Sequence, residues 1–147
     1  MTDELIKLIK QLVKVTHSRV IFVGSFVDTI RGISGTPRDI DIIVRKEDLA
    51  ALEVLGEVIP LKYNPMFKGR ERYFIKTEVI PIDVFVGDGH LSGATFEDVL
   101  VGETLVKVYS KESEIESAAK LAEHVESIHL STSRKYLKRA NKLKERL

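Results

Sequence analysis

The sequence contains no cysteine and no tryptophan, and its 147 residues carry a net charge of only +1. The absence of cysteine excludes disulfide bonds, thiolate zinc sites and cysteine nucleophiles. A net charge near zero excludes a protein that attracts nucleic acids through its overall field, so any such affinity must be local. The composition is compatible with a reducing compartment, and we expect a cytoplasmic protein.

Long apolar runs are also missing from the sequence. No stretch approaches the ~20 apolar residues that a membrane-spanning helix needs, and residues 1–4 lack the basic start of a secretory signal. The length is that of one domain, large enough to bury a core without disulfides or structural metal. We therefore expect a single soluble domain over residues 1–147, without membrane association.

Hydrophobic periodicity predicts a mixture of helices and strands. Helical spacing of apolar residues indicates helices over residues 3–15, 46–55 and 110–126, and residues 131–133 are predicted to cap a last, basic helix. Apolar or alternating runs predict strands over residues 20–23, 38–44, 58–61, 72–76, 79–86 and 104–109. The expected fold is α/β or α+β, a mixed sheet flanked by helices, with a core of about residues 1–109 and C-terminal helices over about 110–147.

Three aspartates interrupt two of the predicted strands. Asp39 and Asp41 lie two residues apart, so strand alternation points both the same way, about 6.5–7 Å apart, and Asp83 stands alone in the later run. Burying carboxylates costs several kcal/mol each, and the compensation that three of them share most simply is a pair of divalent cations bound through oxygen. The cluster predicts magnesium and phosphate chemistry. For any single aspartate, a turn cap or an edge-strand position is the alternative.

A Gly-Ser pair follows the first predicted strand. Gly24 permits close approach of the backbone to a ligand, and the Ser25 hydroxyl together with the following N–H groups can hold a phosphate. The alternative is an ordinary strand-to-helix turn, which the fold requires in any case.

The Gly-Ser pair, the Asp39–Asp41 pair and Asp83, taken in their order along the chain, resemble the signature of the polymerase-β-type nucleotidyltransferase superfamily over roughly residues 19–86. The matching segments are Val23-Gly24-Ser25, Asp39-Ile40-Asp41 and Ile82-Asp83-Val84. The resemblance implies that Asp39, Asp41 and Asp83 are catalytic and bind two Mg²⁺ ions. It further implies that an acceptor hydroxyl attacks the α-phosphorus of a nucleoside triphosphate such as ATP, and that pyrophosphate leaves.

Other expectations also come from this resemblance. Gly24 and Ser25 are expected to line the triphosphate, and Lys120 to approach it, as a lysine does in small relatives. Stand-alone members often belong to toxin–antitoxin pairs, and the acceptor can be RNA (tRNA included), a partner protein or a small molecule such as an aminoglycoside. A non-catalytic nucleotidyltransferase-like binding module, or an antitoxin acting on a protein partner, is the alternative.

The C-terminal run from Arg134 to Arg146 holds seven basic residues and one acidic residue. Such a run can bind RNA or an acidic partner. It can equally be a solvated helix whose cations complement its own C-terminal dipole. The four histidines show no spacing typical of metal ligands.

Overall fold

The structure is a computed structural model that describes residues 1–33, 35–62, 70–87, 93–125 and 130–146. The helices are α1 (Asp3–Val15), α2 (Phe26–Ile30), α3 (Leu49–Leu52), α4 (Lys111–Val125) and α5 (Leu130–Glu145), with 3-10 turns at Lys46–Asp48 and Glu53–Leu55. The strands are β1 (Ile21–Val23), β2 (Ile40–Val44), β3 (Val58–Pro60), β4 (Arg72–Ile75), β5 (Ile82–Val86), β6 (Phe96–Val101) and β7 (Thr104–Tyr109).

Within the described residues, seven strands form one mixed sheet in the order β3-β4-β5-β2-β1-β7-β6. The pairs β2/β5 and β1/β7 are parallel, and the other neighbouring pairs are antiparallel. The aspartate-bearing strands β2 and β5 are therefore direct neighbours in the middle of the sheet.

The two faces of the central strands carry different side chains. Ile40, Ile42 and Val44 of β2 are buried in the main core, together with the apolar stripe of α1. Because successive strand residues point to opposite faces, Asp41 and Ile43 lie on the other face. One face of β2 thus holds the fold together, and the other is available for chemistry.

Several helix signals are confirmed. Thr2 Oγ1 accepts a hydrogen bond from the backbone N–H of Leu5 at 3.2 Å, and α1 spans the predicted residues. Ser110 Oγ accepts one from the N–H of Ser113 at 3.2 Å, directly before α4. Both serve N–H groups that a helix start leaves without an intrahelical partner.

The structure differs from the sequence predictions at two elements. Strand β6 was not predicted, because most of its residues are exposed on both sides and no clear alternation marks it. The predicted cap at residues 131–133 is wrong, since α5 begins at Leu130. Ser133 lies inside the helix and donates to the Ala122 carbonyl of α4 at 2.5 Å. The loop predicted over residues 64–69 lies outside the described residues.

Among the helices of the described residues, none combines the length and the apolar character required to cross a membrane.

Candidate active site

The parallel pairing of β2 and β5 brings the three predicted aspartates together. Asp41 and Asp83 are register partners on these strands, and Asp39 lies one residue before β2. Each offers a carboxylate oxygen, and these three oxygens lie within 4.8 Å of one another. All three side chains are partly buried, so the cluster is still accessible to a ligand.

The electrostatics of the cluster favour a bound cation. Burial, followed by the charges of Asp39 and Asp83, raises the pKa of Asp41 to about 7, and Arg139 opposes this shift. Burial and the charge of Asp39 also raise the pKa of Asp83, against the opposing charge of Arg72. A divalent cation would relieve this repulsion, and three carboxylates form a hard oxygen donor set that suits Mg²⁺.

The turn after β1 lies directly against this cluster. Gly24 has a φ of +68°, and a Cβ atom at this position would lie 2.7 Å from Asp41 Oδ2. Only glycine fits here without displacing the carboxylate. Ser25 follows at the start of α2 with an exposed side chain that makes no capping hydrogen bond.

The cluster and the turn belong to one cleft of about 610 Å³. Its floor is the sheet and the Gly24–Ser25 turn, and its opposite wall is formed by α4 and α5. The residues that α4 and α5 contribute are Glu114, Ser117, Ala118, Leu121, Lys135, Tyr136 and Arg139. Tyr136 lines the cleft together with the aspartates, and burial and the charge of Asp41 raise its pKa.

Helix α5 is held over the cleft by Arg139. Its guanidinium donates to Asp28 Oδ2 at 3.0 Å and to the Gly24 carbonyl at 2.8 Å, and it lies 3.7 Å from Glu114 Oε1. Arg146 adds a contact of 3.3 Å to Asp28 Oδ1. Asp28 is 8% exposed, and its charge is compensated by Arg139 of α5 and by Arg146, which directly follows this helix.

A second partly buried arginine, Arg31, joins the elements behind the cleft. Arg31 donates to Glu114 Oε2 at 2.9 Å and to the Tyr109 carbonyl at 2.9 Å, and also pairs with Glu97. Burial raises the pKa of Glu114 to about 7, although Arg31 and Arg139 both favour its charged form. These contacts tie the segment after α2 to β6, β7 and α4.

The predicted site residues do not all meet in the cleft. Asp39, Asp41, Asp83, Gly24 and Ser25 line it together. Lys120 lies on α4 with its Nζ 3.2 Å from Glu116 Oε1, outside the residues that form the cleft.

Sequence reasoning missed Asp28, Tyr136 and Arg139. A signal for Asp28 exists, because an acid in the apolar segment of α2 requires a charged partner when buried. Nothing in the sequence identifies that partner, which lies 111 residues later.

The chain matches no protein-family model and no curated protein sequence. Among solved structures, it is similar to the solution structure of the antibiotic-resistance factor ANT(2″)-Ia, with 17% identity, a TM-score of 0.62 and coverage of 98% of this chain and 89% of that one. It is also similar to ANT(2″)-Ia in complex with adenylyl-2″-tobramycin, with 14% identity, a TM-score of 0.59 and coverage of 97% of this chain and 98% of that one. A protein from Thermotoga maritima, described provisionally as a nucleotidyltransferase, shares 16% identity and has a TM-score of 0.63, with coverage of 95% of this chain and 96% of that one. The predicted nucleotidyltransferase fold is thereby confirmed.

Proposed function

We propose that the protein is a magnesium-dependent nucleotidyltransferase that moves a nucleoside monophosphate from a nucleoside triphosphate to an acceptor hydroxyl and releases pyrophosphate. The observation that carries this proposal is the convergence of Asp39, Asp41 and Asp83 beside the Gly24–Ser25 turn, in a chain with this fold. A partly buried cluster of like charges is costly for folding alone, and a cation-dependent reaction gives it a purpose.

The aspartates would hold the metal in this proposal. Asp39, directly before β2, and Asp41 on β2 would bind both ions, while Asp83 on β5 would complete the site of the catalytic ion. Two bound magnesium ions would neutralise charge on the attacking and leaving oxygens of the phosphoryl transfer. The acceptor oxygen forms a bond to the α-phosphorus, the bond to the pyrophosphate oxygen breaks, and the hydroxyl proton passes to water.

The nucleotide would lie between the turn and α5. Gly24 lets the turn lie directly against Asp41, and the Ser25 hydroxyl and Arg139, which line the same cleft, can donate to phosphate oxygens there. Lys120 remains a predicted triphosphate contact that would have to leave Glu116 first. A Lys120→Gln variant tests this contact. An unchanged KM for the nucleotide would show that Lys120 does not bind the triphosphate.

We propose three classes of molecule whose hydroxyl could be the acceptor: RNA, a partner protein or a small molecule. ANT(2″)-Ia, the structural neighbour seen with adenylyl-2″-tobramycin, supports the small-molecule class. The assignment to the toxin–antitoxin-associated type rests on the sequence resemblance.

The test is incubation of the protein with each α-labelled nucleoside triphosphate and magnesium, against total RNA, cell lysate and aminoglycosides. Asp41→Asn should lower transfer on the order of a hundredfold or more while the protein stays folded, because one metal ligand is lost. Asp98→Asn, which changes an exposed strand aspartate, is the matched control and should keep transfer.

Two outcomes of this test would contradict the proposal. Transfer at the normal rate by Asp41→Asn protein would show that the aspartate cluster does not take part in the reaction. Magnesium-dependent nucleotide binding without transfer to any acceptor would instead support the non-catalytic binding module or the antitoxin.

A further inference from the structure

Helix α5 and the turn after it concentrate the positive charge of this nearly neutral chain. Residues 130–146 hold seven of its 23 basic residues and one of its 22 acidic residues, so the rest of the chain is net acidic. The first turn of α5 contains no acidic residue. The field of the molecule is therefore positive on the side of α5.

Six of the seven basic residues in this segment fall into two groups, and Lys144 belongs to neither. Arg139 and Arg146 pair with Asp28. The second group is Arg134, Lys135, Lys138 and Lys142, which we call the α5 ridge. All four side chains are exposed, and none of them forms an ion pair in the described part of the chain.

Helix stability explains Lys142, which lies in the last turn of α5, but not the start of the ridge. Cations stabilise a helix near its C-terminus, and in the first turns the dipole acts against them. Arg134 and Lys135 lie within the first six residues of α5. Arg134, Lys138 and Lys142 recur every four residues, which places them about 6 Å apart along one line of the helix surface.

The ridge continues into the cleft. Lys135 is both a member of the ridge and part of the cleft wall, next to Tyr136. Arg38 also lines the cleft, whereas its remaining acid outside the aspartate cluster, Glu114, is paired with Arg31. The charges left for an acceptor are positive, which favours an anionic acceptor over a polycationic aminoglycoside.

We propose that the α5 ridge binds the phosphate backbone of a single-stranded RNA and leads its terminal ribose hydroxyl into the cleft. This inference rests on the proposed function and names its acceptor, since RNA is the polyanion among the acceptor classes. Tyr136, an aromatic ring at the cleft end of the ridge, can stack on a base of the entering strand. In the reaction the ribose oxygen bonds to the α-phosphorus, pyrophosphate leaves, the proton passes to water, and the RNA becomes one nucleotide longer.

The first test measures binding without nucleotide, using a labelled 15-nucleotide single-stranded RNA of mixed sequence at several salt concentrations. The triple variant Arg134→Gln/Lys138→Gln/Lys142→Gln should bind on the order of tenfold more weakly or worse. Its slope of log affinity against log salt should be smaller by about 2, because three phosphate contacts are lost. The matched control is Lys7→Gln/Lys10→Gln/Lys14→Gln, which removes three exposed lysines from α1 and should bind like the unmodified protein.

A second measurement separates this proposal from the proposed function. Magnesium with ATP should raise the Tm of the triple variant as much as that of the unmodified protein, while transfer to the RNA falls in parallel with binding. Equal RNA binding by the α5 and α1 variants would contradict the proposal that the α5 ridge binds RNA. Tighter binding of DNA than of RNA would contradict it as well. Efficient transfer to tobramycin by both variants would show that the acceptor is a small molecule. It would contradict RNA as the acceptor and still support the proposed nucleotidyltransferase activity.

Discussion

At the residue scale, the contact between Gly24 and Asp41 determines whether the turn and the carboxylate cluster can coexist. A methyl group on Gly24 would lie 2.7 Å from Asp41 Oδ2, and the φ of +68° would be strained for any L-residue. We predict that Gly24→Ala loses nucleotidyl transfer and the rise in Tm caused by magnesium and ATP, because Asp41 must move. Both are measured on the purified variant.

Gly32 supplies the control for backbone strain. Its φ is +75°, but nothing lies within 4 Å of a Cβ at that position. Gly32→Ala should therefore lose about 1 kcal/mol of stability from strain, as Gly24→Ala does, and keep its activity. Equal activity of the two variants would show that the contact with Asp41 is unimportant.

Glu114 gives the fold a pH dependence whose sign can be worked out. Its pKa is raised from 4.5 to about 7 in the folded protein, chiefly by burial. The folded state then binds the proton more tightly than the unfolded state, so the contribution to the free energy of unfolding is full below pH 4.5 and is lost as the pH rises through about 7. Urea unfolding at pH values from 4.5 to 7.5 should show this fall, and Glu114→Gln should show a shallower one. Parallel curves for the two proteins would contradict the assignment to Glu114.

The residues of the candidate site differ in how far the sequence reveals them. Asp39, Asp41 and Asp83 can be predicted, because a charge in a strand of β-branched residues violates the local pattern and strand alternation fixes the direction of its side chain. Arg139 cannot, because its contacts depend on how α5 packs across the chain onto the turn at Gly24, and local periodicity contains no such information.

At the scale of elements, the docking of α5 on the turn after β1 depends on Arg139. Its guanidinium makes hydrogen bonds of 2.8 and 3.0 Å to Gly24 and Asp28 while partly buried. We predict that Arg139→Gln lowers the free energy of unfolding by about 1–3 kcal/mol and speeds amide hydrogen exchange in α5, since Asp28 loses a partner. Urea unfolding and hydrogen-exchange mass spectrometry measure the two effects.

Arg134 on the same helix provides the comparison for this prediction. It is exposed and forms no ion pair in the described residues, so Arg134→Gln should change stability by less than about 0.5 kcal/mol. If Arg139→Gln were equally mild, α5 would be held by its apolar contacts alone.

Helices and strands with one buried face were predictable, whereas strand β6 was not. The strong apolar stripe of α1 and the alternation of β7 identify both in the sequence. Strand β6 is an edge strand with exposed Phe96 and Leu100, so burial leaves no pattern in its sequence. Its place in the sheet comes from pairing with β7.

At the scale of the whole molecule, the aspartate cluster couples ligand binding to stability. Magnesium with ATP at about 100 times its Kd should raise the free energy of unfolding by about 2.7 kcal/mol, which for a chain of this size is a rise of several degrees in Tm. EDTA should abolish the shift. A shift of the same size with ATP in EDTA would show that the nucleotide binds without the metal.

The parallel pairing of β2 with β5, and of β1 with β7, also sets the order in which the protein can assemble. The partners Asp41 and Asp83 are 42 residues apart, and Ile21 pairs with Lys107. Contacts between such distant parts of a chain close large loops and form late in folding. During synthesis, a chain that has just passed Asp41 exposes two clustered carboxylates with no third partner. The candidate site can therefore appear only after β5 has left the ribosome, and the sheet around it is complete only when β7 follows.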